Sequence, residues 1–268
     1  MSGRRAFRWL LTGFVVVLVA ACGYQAGLTP DTWWRPGAAQ RVAVMLDGVR
    51  IPWDDMAFWC ETGLAMIDTL AIAMLGITLA LGLGFVLGLS GSRAVSGALV
   101  AGEPPAWPLR ALGGGARFVA LGLRCVPEVI WACILVRVVG LGPAAAIAAL
   151  GLAYGGMIAK VWGEQLETAR HGAATALAAG GAGPLAQLLW ARLPDAVPGF
   201  AAYGVYRFEC AIRASAIIGY VGGGGLGMQM EMAMAQGDFG RLGGQVVALI
   251  ILVAAVEIAS DRLQRKLA

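Results

Sequence analysis

"GYVGGGGLGMQM", residues Gly219 to Met230, decides between two incompatible folds. Gly222, Gly224 and Gly227 satisfy G-x-G-x-x-G, the glycine pattern of a dinucleotide-binding turn. Such a turn follows a strand, opens a helix, and has an acid about 20 residues further on for the ribose. Here the stretch follows an apolar run and leads into Met-rich, helix-like sequence, and Asp238 lies too close. The pattern carries no nucleotide. What Gly222, Gly224, Gly225 and Gly227 do supply is backbone freedom and close approach between helices.

Working outward, the 268-residue chain is 59% hydrophobic and only 13% charged, with a mean hydropathy of +0.75. A soluble domain carries about a quarter charged residues. Long apolar runs of about 20 residues are the mark of membrane spans. The composition predicts an all-α integral membrane protein. Six apolar segments are predicted as transmembrane helices, near 9–27, 63–89, 113–139, 143–165, 196–219 and 242–260. The third and fourth meet at "GLGP", Gly140 to Pro143, a tight turn with a proline fit to open a helix.

Lys and Arg collect on the cytoplasmic side of a membrane protein. With the N-terminus inside, the inner segments hold Arg4, Arg5, Arg8, Arg93, Arg110, Arg117, Lys160, Arg170, Arg192, Arg262, Arg265 and Lys266. The outer segments hold only Arg35, Arg41, Arg50 and Arg241. That asymmetry predicts both termini in the cytoplasm. Trp33, Trp34, Trp53 and Trp59 crowd the first outer segment, as interfacial anchors do.

The start, "MSGRRAFRWLLTGFVVVLVAAC", supports two readings. It is either an uncleaved first span or a lipoprotein-type signal processed at Cys22; the many downstream spans favour the first. The five cysteines (Cys22, Cys60, Cys125, Cys133, Cys210) are scattered and there is one histidine, His171. Neither a metal site nor a disulfide framework is expected. No basic stripe interleaved with aromatics points to nucleic acid.

Charges remain inside the spans: Arg124, Arg137, Arg207 and Arg213, with Glu128, Glu209, Glu257 and Asp68. Such residues face a bundle interior or an aqueous path, because a cation at the bilayer centre costs at least about 2.5 kcal/mol. Arg124 with Glu128, and Glu209 with Arg213, are four apart and so predicted to pair along a helix. Arg207 and Arg137 have no acid at that spacing. Buried ion pairs that orient helices would explain the set, and so would a transport path. An excess of Arg over a path favours an anion with phosphoryl-type oxygens.

Between spans four and five lies "LETARHGAATALAAGGAGPLAQLLWARLPDAVPGF", Ala- and Gly-rich and predicted cytoplasmic. It reads as two short helices broken at Gly180–Gly181 and ended by Pro194. A loop this apolar is awkward in water unless another protein covers it.

This loop resembles the coupling loop of ABC importer permeases, whose pattern is E-A-A-x3-G-x9-I-x-L-P. In register, Thr175, Ala176 and Leu177 fall at the E-A-A triplet, Gly181 at the glycine, and Leu193–Pro194 at the final L-P. "RCVPEVIWACILVRVVGLGP", "YGGMIAKVWGEQLE", "YGVYRFECAIRASAIIGYVGGGGLG" and "DRLQRKLA" are similar to stretches of the phosphonate/phosphite branch, over roughly residues 64–268. The resemblance implies a type I, binding-protein-dependent permease of the bacterial inner membrane. Its core would run over 63–268, preceded by an N-terminal helix and external segment over 1–62.

It implies several partners: cytoplasmic ATPase subunits gripping about 167–194, a periplasmic substrate-binding protein, a second copy of the chain, and membrane lipid. Arg124, Glu128, Arg207, Glu209 and Arg213 become candidates for the anion path, and Gly222, Gly224, Gly225 and Gly227 for a periplasmic gate. Two positions depart from the pattern: Thr175 replaces the glutamate and Ala191 the isoleucine. In the family that glutamate helps bind the ATPase, so docking is weaker, differently made, or served by another partner or a second, different permease subunit.

The chain has no Walker A sequence, since neither Lys160 nor Lys266 follows the required glycines, and no catalytic constellation. It is expected to bind no cofactor and to be no enzyme, with ATP used by the partner. The alternatives are a permease for another small solute, or a secondary carrier using Glu209 or Glu257.

Overall fold

The computed structural model describes residues 2–27, 37–93, 107–169 and 171–267. Every regular element among them is helical. The chain divides into two compact units, Met1–Val49 and Arg50–Ala268. In the first, α1 (Ser2–Gln25) is followed by the short α2 (Ala38–Gly48). From Phe7 to Gln25, α1 presents apolar side chains outward, Trp9, Phe14 and Val17 among them, as a lipid-solvated helix does.

The second unit begins with α3 (Met56–Gly91), whose start is capped by Asp55 accepting from the Phe58 N–H at 3.1 Å. Its 36 residues span about 54 Å, well beyond the hydrocarbon. α4 (Trp107–Cys125) and α5 (Glu128–Val139) follow, then α6 (Pro143–Thr168) with Pro143 in its first turn. A one-turn α8 (Pro184–Gln187) lies beyond α7 (His171–Ala179) and leads through a wide helical turn, Leu188–Arg192, into α9 (Leu193–Ile218). A second wide turn, Gly219–Gly223, joins α9 to α10 (Gly225–Gln236), and α11 (Phe239–Leu267) closes the unit.

α3 and α6 form the heart of the core. Apolar burial does little to drive helices together in lipid, so small residues that let backbones approach must do it. Gly76, Ala80, Gly84 and Gly88 recur every four residues along the buried face of α3, and Gly151, Gly155, Ala159 and Gly163 along α6. A Cβ at Gly88 would sit 2.9 Å from the Ala159 carbonyl, and one at Gly155 2.8 Å from Leu83. The two stripes are what the pairing requires.

Of the six expected spans, α1, α3, α6 and α11 are long and apolar enough to cross a membrane. The third is not one straight helix. α4 and α5 meet at a 91° bend, making a broken span or a re-entrant pair. Pro127 lacks an N–H and disfavours helix at Val126, which accounts for the break. The fifth is the 26-residue α9, less apolar because it carries Asp195, Arg207, Glu209 and Arg213.

Candidate functional site

α9 brings most of the intramembrane charge. Glu209 and Arg213 pair as their spacing predicts, Nη2 to Oε1 at 3.0 Å. Arg207 behaves differently. One turn earlier on the same face stands Tyr203, and the Arg207 Nε–H donates to its hydroxyl at 2.7 Å. The guanidinium carbon lies 5.1 Å from the Tyr203 ring centre, 5.5 Å from that of Tyr206 and 5.6 Å from that of Tyr154. No carboxylate pairs with Arg207 among the described residues.

Tyr154 comes from α6 and is buried, 4% exposed. Glu128 at the start of α5, and Arg207, Cys210 and Arg213 on α9, all lie within electrostatic reach of its hydroxyl. Glu257 on α11 joins Glu209 in acting on Arg213. Charges from α5 and α9 thus gather around one tyrosine of α6, and α11 reaches the group only through Glu257 beside Arg213. Of the sequence-predicted path residues, Glu128, Arg207, Glu209 and Arg213 belong to this cluster. The tyrosines were not predicted, although Tyr203 at four residues before Arg207 was a readable sign for it.

Arg124 lies elsewhere. α4 ends at Cys125 and Glu128 opens α5 across the bend, so the expected helical pair does not form. Arg124 lines a groove of about 430 Å³ shared with Arg117, Lys160, Glu164 and Glu167. Arg137 is exposed in the last turn of α5, where a cation suits the helix dipole.

The loop region is built as two faces. α7 ends at Gly180–Gly181, as expected, with the Gly181 N–H on the Ala178 carbonyl and the Ala182 N–H on that of Leu177. This double closure needs a left-handed residue, and Gly181 has φ +81°. The expected stop at Pro194 does not occur. Pro194 sits in the first turn of α9, directly after the wide helical turn Leu188–Arg192, and helix runs on. On the inner face Ala174, Leu188 and Ala191 are buried, and Arg192, 1% exposed, donates to the Leu166 carbonyl at 3.3 Å. On the outer face Thr175, Ala176, Leu185 and Trp190 are exposed, Trp190 by 78%. Glu167 is engaged away from this face: it pairs with Arg117 at 2.8 Å and accepts the Arg93 N–H at 2.9 Å, tying α6 to α4 and the end of α3. Glu164 pairs with Lys160.

The opening glycines form a packed crossing. Gly222, Gly224 and Gly225 have positive φ, and α10 turns back against the end of α9. A Cβ at Gly227 would collide with the Ala216 carbonyl, and one at Gly219 would come 3.0 Å from the Gly227 Cα. Thr69 of α3 fastens the turn. Its hydroxyl accepts the Leu226 N–H at 2.8 Å and donates to Ala65, while Ser215 donates to the Thr69 carbonyl at 3.3 Å. Trp53 stacks on Trp59 at 5.4 Å, and the Trp59 indole donates to Pro52. Trp33 and Trp34 lie outside the described residues.

Residues 94–268 match the family described as binding-protein-dependent transport system inner membrane component. The chain belongs to that family. This permease is 31% identical over 251 residues to the phosphite transport system permease protein PtxC of Stutzerimonas stutzeri, covering 93% of this chain and 85% of that one. It is 30% identical over 203 residues to the phosphate-import permease protein PhnE of Mycolicibacterium smegmatis, covering 76% of this chain and 36% of that longer protein. Among solved structures, an inward-facing MetNI methionine ABC transporter chain superposes with a TM-score of 0.63 at 23% identity, covering 80% of this chain and 99% of that one. That likeness concerns the fold, a type I importer permease. The permease is therefore a multi-pass protein of the bacterial inner membrane.

Proposed function

We propose that this permease is the membrane-spanning subunit of an ATP-driven ABC importer for phosphite, phosphonate or a related phosphorus oxyanion. The observation that carries the reading is Arg207, a half-buried cation on a charged membrane-region helix, held by tyrosine rings and paired with no carboxylate among the described residues. An anion passing through would supply the missing partner. The relatives named for phosphite and phosphate transport agree in the chemistry they imply.

In this account Arg207 contacts the anion, and Arg213 lines the same path with Glu128 and Glu209 as counter-charges. Arg124 braces the path from the neighbouring groove. The chain works as a homodimer in lipid with both termini cytoplasmic, its core starting at about residue 63. It binds no cofactor. ATP is hydrolysed by partner subunits that grip residues about 167–194, where Thr175, Ala176, Gly181, Leu193 and Pro194 form the coupling motif. With threonine in place of the motif's glutamate, the exposed Leu185 and Trp190 give that docking an apolar character. A periplasmic binding protein delivers the substrate to the outer face, and Gly222, Gly224, Gly225 and Gly227 serve there as the gate's fixed pivot.

Arg207→Ala should abolish phosphite uptake in cells while the chain still copurifies with its ATPase. Uptake at the wild-type rate would remove Arg207 from the path.

A further inference from the structure

A cation in a water-poor span must be stabilised, and this chain stabilises Arg207 without neutralising it. A carboxylate partner would hold the guanidinium permanently and compete with any passing anion. Aromatic faces attract a cation through their quadrupoles and offer no such competition. Three of them surround Arg207, contributed by Tyr154, Tyr203 and Tyr206. Glu209, the nearest acid in sequence, is engaged with Arg213.

The hydrogen bond between Arg207 and Tyr203 adds a second element. The guanidinium spends its Nε–H on the Tyr203 oxygen. That leaves both Nη groups, and the planar fork aims one Nη N–H alongside the Nε–H, toward the Tyr203 side. Tyr203, having accepted a proton donor, keeps its own O–H to give away. Among the described residues neither those Nη groups nor the Tyr203 O–H has a protein acceptor. Three donors are therefore held together by one short contact, without a protein oxygen to receive them.

Taking Arg207 to lie on the anion path, we propose that Arg207 and Tyr203 form a single oxyanion-binding unit. The Nη group beside Nε and the Tyr203 hydroxyl together take the oxygens of a phosphorus oxyanion on that side of the guanidinium. Tyr154 and Tyr206 act through their rings, fixing the guanidinium plane. Tyr203 is then a specificity-determining residue, and its hydroxyl matters apart from its ring.

The test is phosphite binding to the purified full-length chain in lipid nanodiscs, by titration calorimetry at constant ionic strength. Wild type should bind phosphite saturably. Tyr203→Phe, which keeps the ring, should weaken binding at least tenfold, whereas Tyr220→Phe, a tyrosine outside the cage, should stay within twofold. Arg207→Lys, which keeps the charge but loses the planar edge, should weaken it as much as Tyr203→Phe or more. Absence of saturable binding by wild type would overturn the assignment, as would equal affinities for wild type and Tyr203→Phe, or equal losses in the two tyrosine variants. Uptake separates this from the transport reading. Arg207→Ala cells that lose uptake beside an unaffected Tyr203→Phe chain leave the path intact and remove only the tyrosine. Arg207→Ala cells that keep uptake remove the path itself.

Discussion

Two glycine-marked breaks interrupt the helices of this permease, and they use glycine for different reasons. At Gly181 the side-chain space is open, with nothing within 4 Å of the place a methyl group would occupy. Only the left-handed φ of +81° demands glycine there. At Gly219 and Gly227, neither of which has a positive φ, the demand is space. Two helix ends cross so closely that a methyl group at Gly227 would enter the Ala216 carbonyl. The first break closes a helix beside an exposed apolar face. The second locks a hairpin against Thr69 in the core. The same residue type thus marks a local backbone choice in one place and a tertiary constraint in the other.

Substitutions can separate the two. Gly227→Ala should have the largest effect, above the ~1–3 kcal/mol typical of an overpacked core, because the obstacle is backbone that cannot rotate away. Loss of the chain from membranes, or a large drop in melting temperature, is the expected readout. A near-native melt would show that the crossing has room for a methyl group after all. Thr69→Val should come next. It keeps the shape but strands the buried Leu226 N–H, at a cost of about 1–3 kcal/mol, readable as a lower melting temperature in detergent. Gly181→Ala should cost least, about 1–2 kcal/mol for a left-handed alanine, with the membrane core intact by the same melt. Equal losses at Gly181 and Gly227 would erase the distinction.

Much of this was legible in the chain. The absence of a strand before Gly219 ruled out a dinucleotide fold, and helices fill the six apolar segments. The Glu209–Arg213 pair followed from spacing because α9 is continuous there. The same spacing failed for Arg124 and Glu128, since Pro127 between them breaks the helix that the rule assumes. Apolar periodicity outvoted one proline, and the proline decided the geometry. The tyrosine cage was half hidden: Tyr203 and Tyr206 are local to Arg207, but Tyr154 arrives from α6, and only tertiary packing brings it in. Arg192 counted as one more cytoplasmic cation, yet it is buried against the end of α6. Charge counting sees the formal charge and not the carbonyl it satisfies.

The central claim is that Arg207, inside the membrane region and paired with no carboxylate among the described residues, is the contact for a phosphorus oxyanion. It is tested most directly by uptake of radiolabelled phosphite in cells carrying Arg207→Ala beside wild type, at matched membrane levels and matched ATPase copurification. The account predicts uptake reduced to background. Uptake equal to wild type would contradict it.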